Sequence, residues 1–213
     1  MKKFIVFDLD GTLIDTLSGI TVAVNEYLKN KDLPYHYSKD EVETFIGEGA
    51  VVLFKKMIKN EVFKEEDYEY FLSLYLKEQY SSKPFKYVVE TLNELVSLKY
   101  KLLIYSNKPD ELLKPLVNKV FPSIPFLIVQ GQDSRYKCKP DATLLNLILK
   151  KFGLSPFDGY YVGDTYIDVL TGKNAKLKTI VVKGYGDIKK AKECGSDSII
   201  DDFSQLIGVI KVL

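Results

Sequence analysis

The chain has 213 residues, with 30 Lys plus Arg against 29 Asp plus Glu, enough for one large domain or a compact domain carrying a smaller insert. The near-zero net charge supplies no long-range attraction toward a nucleic-acid backbone or an anionic membrane, so neither is an expected partner and any anionic ligand must be held locally. Cys138 and Cys194 are the only cysteines; they form no Cys-x-x-Cys pair and keep no metal-ligand spacing to His36, and read as free thiols of a reducing compartment.

The first apolar run, Phe4 to Phe7, reads as a buried strand and meets Asp8 and Asp10 at once. It is too short for the apolar stretch of a leader peptide, and nothing further along approaches the ~20 apolar residues of a membrane span. A soluble, cytoplasmic monomer or homodimer is expected. Residues two apart on a strand share a side, so Asp8 and Asp10 of Phe7-Asp8-Leu9-Asp10-Gly11-Thr12-Leu13 both reach the sheet edge. Carboxylates so close repel unless a cation or a shared proton lies between them. Gly11 permits a turn that exposes backbone N–H groups, an arrangement suited to a phosphate.

After this strand about seventy residues pass before the next, far more than a βα connection needs, which predicts an inserted helical domain over residues 16–85. Its apolar spacing is helical: Ile20, Val24, Tyr27 and Leu28 share one face, Val52, Met57, Ile58 and in part Phe54 another, and Tyr68, Phe71, Leu72, Tyr75 and Leu76 a third. Core packing is the ordinary use of such aromatics. Gly47, Glu48 and Gly49 between the first two faces either join two helices or form a loop that contacts a ligand.

From Tyr87 onward strands and helices alternate. Leu102 to Tyr105, Phe126 to Val129, Tyr160 to Val162 and Thr179 to Val182 read as strands. Val88 to Leu98, Glu111 to Val120, Thr143 to Phe152 and Ile188 to Cys194 read as helices. The fold class is therefore α/β, a doubly wound parallel-sheet core resembling the Rossmann arrangement, formed by residues 1–15 and 86–213, with the small helical insert between. Ligands in such sheets bind beyond the carboxyl ends of the strands. There the sequence places Ser106 and Asn107, with a hydroxyl and a backbone N–H suited to phosphate oxygens. Lys139 follows the next strand, held extended by Pro140. Finally, Gly163-Asp164-Thr165-Tyr166-Ile167-Asp168 follows the strand ending at Val162, and its spacing puts Asp164 and Asp168 on one face of a starting helix.

Asp8-Leu9-Asp10-Gly11-Thr12, Ser106-Asn107, Lys139-Pro140 and Gly163-Asp164 with Asp168, in this order over nearly the whole chain, resemble the motifs of the haloacid dehalogenase superfamily. The resemblance implies that Asp8 is a nucleophile and Asp10 a general acid and base, and that Ser106, Asn107 and Lys139 bind a phosphoryl group. It also implies that Asp8, Asp164 and the backbone carbonyl of Asp10 hold Mg2+, while Asp168 orients Lys139 or holds a metal-bound water. Lys108-Pro109-Asp110 duplicates Lys139-Pro140-Asp141. Lys108 lies two residues past Ser106, whereas Lys139 leaves room for an intervening strand and precedes Asp164, as the family order demands. An aspartate at position 10 separates the chain from the dehalogenase and phosphonatase branches.

The chemistry is consistent with those roles. Phosphoryl transfer depends on positioning and on neutralising equatorial oxygens, which a lysine, a hydroxyl, amides and Mg2+ supply. Carboxylates without histidine suit a hard cation. The helical insert and Phe45-Ile46-Gly47-Glu48-Gly49 are similar to the phosphoglycolate phosphatase group, which implies a small phosphorylated metabolite as substrate, 2-phosphoglycolate first. A β-phosphoglucomutase-like isomerase, a pyrophosphatase or a sugar phosphatase would use the same core.

Overall fold

The computed structural model describes residues 3–59 and 61–213. The chain runs through β1 (Phe4–Phe7) and β2 (Ile14–Asp15), then helices α1 (Leu17–Asn30), α2 (Lys39–Glu43), α3 (Ala50–Ile58) and α4 (Glu65–Glu78), and leaves this helical stretch at β3 (Lys83–Pro84). There follow α5 (Val88–Ser97), β4 (Lys101–Pro109), α6 (Asp110–Val120), β5 (Phe126–Gln132) and α7 (Thr143–Lys151). The last part comprises β6 (Gly159–Gly163), α8 (Tyr166–Asn174), β7 (Lys178–Val182), α9 (Ile188–Glu193), β8 (Ser198–Ile200) and α10 (Leu206–Val212).

Six strands form one parallel sheet in the order β5-β4-β1-β6-β7-β8. All four residues of β1 are buried, and strand alternation splits them between the two faces of the sheet. Ile5 and Phe7 pack with Leu92 and Leu95 of α5, Leu113 and Leu116 of α6 and Leu206 of α10. Phe4 and Val6 pack on the opposite side with Leu145, Ile148 and Leu149 of α7. Continuous apolar strands covered on both faces are what a doubly wound sheet requires. Because the chain leaves β1 for β4 on one side and returns to β6 on the other, a crevice opens at the carboxyl end of β1.

The helical stretch has its own apolar cluster, centred on Phe54, whose ring meets Tyr27 edge-on at 5.2 Å and Tyr68 at 5.5 Å. One apolar link to the rest is Leu112 of α6, which packs into this cluster. The strands leading into and out of the stretch, β2 and β3, pair antiparallel, Ile14 with Pro84 and Asp15 with Lys83.

Three details depart from expectation. In α3, Leu53 is buried and Val52 only partly so, and in α4, Leu74 is buried while Leu76 is exposed, although Met57, Ile58, Tyr68, Phe71 and Tyr75 are buried as expected. Strand β4 continues through Ser106 to Pro109, with a register shift against β5 between Tyr105 and Pro109. Asp164 lies between β6 and α8 rather than on the helix, and only Asp168 occupies its first turn.

Candidate active site

The sheet delivers its acidic residues to the carboxyl ends of its two central strands. Asp8 follows β1, and its backbone N–H donates to the Val162 carbonyl at 3.0 Å, extending the β1–β6 ladder by one residue. The turn after it closes on itself: the amide of Gly11 donates to Ile14, and those of Thr12, Leu13 and Ile14 donate to Leu9. The turn takes up the N–H groups of residues 11–14, while among the described residues those of Leu9 and Asp10 have no backbone acceptor. The glycine has another use. At φ +80° it approaches Asp164 so closely that a Cβ would lie 2.4 Å from Asp164 Oδ2.

Asp8, Asp164 and Asp168 each offer a carboxylate oxygen, all within 4.8 Å of one another and all buried. Asp164 Oδ1 accepts from the Thr12 hydroxyl at 2.8 Å and Oδ2 from the Tyr185 amide at 2.9 Å. Asp168 caps α8, where its Oδ2 accepts from the amide and hydroxyl of Thr165, while its Oδ1 accepts from Lys139 Nζ at 2.7 Å. Asp168 thus has the least free lone-pair capacity of the three and chiefly anchors Lys139. That ammonium also lies 2.9 Å from Asp8 Oδ1, off the line of a hydrogen bond, so this buried oxygen keeps no aligned donor.

Burial raises the Asp8 carboxyl to about 6 despite the pull of Lys139, and burial with the neighbouring charges of Asp168 and Asp8 raises Asp164 well above the carboxylate range. Burial opposes the charge on Lys139, but Asp168 and Asp8 outweigh it and hold the ammonium well above its usual value. Three clustered acids facing one such cation carry surplus negative charge. An all-oxygen set with an orphaned buried carboxylate atom fits a hard divalent ion, which would supply the missing countercharge.

A cavity of about 40 Å³ opens beside Asp8, room for roughly three waters. Its floor is Asp8, Asp10, Ser106, Asn107, Lys108 and Pro109. Its roof belongs to the helical stretch and is largely apolar, with Ile20, Ile46, Gly47, Gly49, Ala50, Leu53, Phe71 and Tyr75. Ser106 is buried with its hydroxyl oxygen accepting from the Lys108 amide at 3.3 Å. Lys139 touches Asp8 without lining the cavity.

Two side chains from the expected site residues have partners of their own. The Asn107 amide accepts from the Lys139 backbone N–H at 2.8 Å and donates to the carbonyls of Lys139 at 3.4 Å and Gly47 at 3.0 Å, so the side chain is a strut between core and roof. Glu48 is exposed and pairs with Lys56 at 2.7 Å, leaving only its neighbours Gly47 and Gly49 at the cavity.

The structure also brings in residues that sequence reasoning passed over. Lys108 is buried, 3.3 Å from Asp10 Oδ1, hydrogen-bonded to the Tyr75 hydroxyl and 4.0 Å from the centre of its ring. Burial depresses its pKa more than Asp10 restores it. The duplicated Lys-Pro-Asp signal pointed at this residue. Tyr185, in Gly184-Tyr185-Gly186 after β7, accepts from the amides of Thr16 at 2.7 Å and Leu17 at 3.0 Å and donates to Asp15 at 2.6 Å. Its glycine neighbours marked a close approach: a Cβ at Gly184 would lie 2.0 Å from the Gly11 carbonyl.

A parallel α/β sheet with an acid cluster at the end of its central strand, roofed by a helical insert, defines a class of phosphoryl-site enzyme fold. A family model described as haloacid dehalogenase-like hydrolase matches residues 5–182, and the chain belongs to that family. It is 36% identical to a phosphoglycolate phosphatase of Aquifex aeolicus over 185 residues, 86% of each chain. It is 31% identical to a phosphoglycolate phosphatase of Agrobacterium fabrum over 215 residues, covering 97% of this chain and 91% of the other. The crystal structure of a predicted phosphoglycolate phosphatase from Haemophilus somnus superposes with a TM-score of 0.88 at 28% identity, over 98% of both chains.

Proposed function

We propose that the protein is a Mg2+-dependent phosphatase of small phosphomonoesters, with 2-phosphoglycolate the first candidate substrate. The observation that carries this reading is the placement of Asp8. Its carboxylate sits at the carboxyl end of the central strand, 2.9 Å from Lys139, within metal-ligand range of Asp164, and opens into a cavity that admits only a small molecule.

The residues divide the work as follows. Asp8 attacks phosphorus, the ester oxygen departs, and Asp10, on the same cavity floor, donates the proton to it. Asp10 then takes a proton from the water that hydrolyses the aspartyl phosphate. Ser106 and Lys139 balance charge on the transferring group, and Asp168 and Asn107 hold Lys139 in place. Asp8, the Asp10 carbonyl and Asp164 would hold Mg2+, which supplies countercharge for the nucleophile and the phosphoryl oxygens. Residues 16–85 form a cap whose apolar roof excludes water from the reacting bond.

Phosphate release measured with Mg2+ on 2-phosphoglycolate, hexose and pentose phosphates, pyrophosphate, nucleoside monophosphates and β-glucose 1-phosphate tests this reading. Release should lead on 2-phosphoglycolate by at least about tenfold in kcat/KM, equal to ~1.4 kcal/mol of transition-state discrimination. A lead by pyrophosphate or a sugar phosphate removes the substrate assignment, and sugar interconversion without stoichiometric phosphate makes the protein an isomerase. The relatives named phosphoglycolate phosphatase favour hydrolysis.

A further inference from the structure

We propose that Lys108 and Tyr75 bind an anionic group on the leaving portion of the substrate, so that the substrates are phosphorylated hydroxy acids; this rests on the phosphatase reading above.

Lys108 is the one cation among the described residues that line the cavity. Its side chain is 1% exposed, and its three N–H groups find two acceptors among the described residues, Asp10 Oδ1 and the Tyr75 hydroxyl. A lysine buried this deeply costs stability unless its charge is matched. The match from Asp10 is partial: the contact is long at 3.3 Å, and with the Tyr75 hydroxyl as the second acceptor one of the three N–H groups has none among the described residues. An anion on the substrate would fill that position and complete the match of charge.

The remainder of the roof states what else the leaving group can be. Ile20, Ile46, Leu53 and Phe71 offer no hydrogen bonds, so each sugar hydroxyl placed against them would be desolvated without a partner. Lys108 comes from β4 on the floor and Tyr75 from α4 in the roof, so both an anion-binding ammonium and a donating phenol converge only when the roof is seated on the core. A short leaving group with one carboxylate satisfies both and leaves no buried hydroxyl unpaired.

The test compares 2-phosphoglycolate with 2-hydroxyethyl phosphate, which has the same length but ends in a neutral hydroxyl. The wild-type enzyme with Mg2+ should prefer the carboxylate by about 100-fold in kcat/KM, equal to ~2.7 kcal/mol. In Lys108→Met, both substrates lose rate, but the preference should collapse to below about fivefold, chiefly through a higher KM for 2-phosphoglycolate. Folding of the variant is checked by circular dichroism and its melting temperature. If it does not fold, Tyr75→Phe, which keeps the ring and removes one donor, should reduce the preference by about three- to tenfold. Equal losses for both substrates in the folded variants would show that Lys108 serves only Asp10 and would overturn the proposal. So would a wild-type enzyme that is indifferent to the carboxylate while hydrolysing other phosphomonoesters. Absence of phosphate release from every phosphomonoester would instead defeat the phosphatase reading itself.

Discussion

Asp8 sits among opposing demands. Burial and two neighbouring acids favour its neutral form, yet the proposed attack on phosphorus needs the carboxylate, and Lys139 supplies only part of the compensation. The carboxyl is raised from 3.8 to about 6, so the folded state holds a proton that the unfolded chain releases. The cost of ionising it in the folded protein is absent below pH ~4, grows between ~4 and ~6 and is constant above. Metal-free Asp8→Asn should therefore melt higher than metal-free wild type at pH 7.5, with the gap closing toward pH 4, while its phosphatase turnover falls by several orders of magnitude, since an amide is no nucleophile. A variant less stable than wild type at pH 7.5 would contradict the charge balance, and one with wild-type phosphate release would end the mechanism. The two lysines should separate by kinetic signature. Lys139→Ala should lower kcat by about 10²–10³-fold on every substrate, because it touches Asp8; Lys108→Ala should act mainly through KM. Matching small effects on kcat from both would show that Lys139 is not the phosphoryl-binding cation.

At the scale of elements, the loop after β7 ties the acid cluster to the entrance of the helical stretch. Tyr185 uses its amide on Asp164 and its hydroxyl on the first amides of α1, two N–H groups that no intrahelical carbonyl can satisfy. Tyr185→Phe removes the acceptor of the Thr16 amide and one of the two acceptors of the Leu17 amide, which keeps Asp15 Oδ1 at 3.2 Å. It should lower stability by about 1–3 kcal/mol, measured by urea unfolding. An unchanged midpoint would mean that water replaces the phenol without loss. The flanking glycines are required by contact: a Cβ at Gly186 would lie 2.1 Å from the Asp164 carbonyl. The same closeness makes Gly11 the only residue type that lets the β1 turn reach Asp164.

For the molecule as a whole, burying three acids against one lysine stores repulsion that a bound cation relieves. Mg2+ at about 100 times its Kd should add ~2.7 kcal/mol to stability, a rise in Tm of roughly 5–10 °C for a chain of this size. The rise should be larger at pH 7.5 than at pH 5, because protons compete for Asp8 at the lower pH. Differential scanning calorimetry with Mg2+, with EDTA and with both metal and pH varied reads this directly. No shift with Mg2+ would remove Asp164 from its assigned role. The melting of the helical stretch should accompany that of the sheet, since Leu112 packs into its core and Asn107 ties Gly47 to Lys139.

The order of strands and helices, and the acids at the ends of β1 and β6, were readable along the chain because they depend on short-range periodicity: two residues in a strand, three or four in a helix. Asp8, Asp10 and Asp164 follow strand ends, Ser106 lies in the carboxyl-terminal part of β4, Lys139 in the loop after β5 and Asp168 in the first turn of α8, and a parallel sheet must bring such segments together. No local pattern covers contacts made by packing between distant segments. Tyr75 reaches Lys108 across 33 positions and Tyr185 reaches Thr16 across 169, and Glu48 turns outward while Gly47 faces the cavity. The Asn107 side chain could not be read as a strut until the fold seated the Gly47 and Lys139 carbonyls against its amide. The chemistry of the site was thus written in residues beside one another in sequence. Which side chains remain free to meet a substrate was decided only when the helical stretch packed onto the sheet, because a donor or acceptor is available only if no nearer partner has taken it.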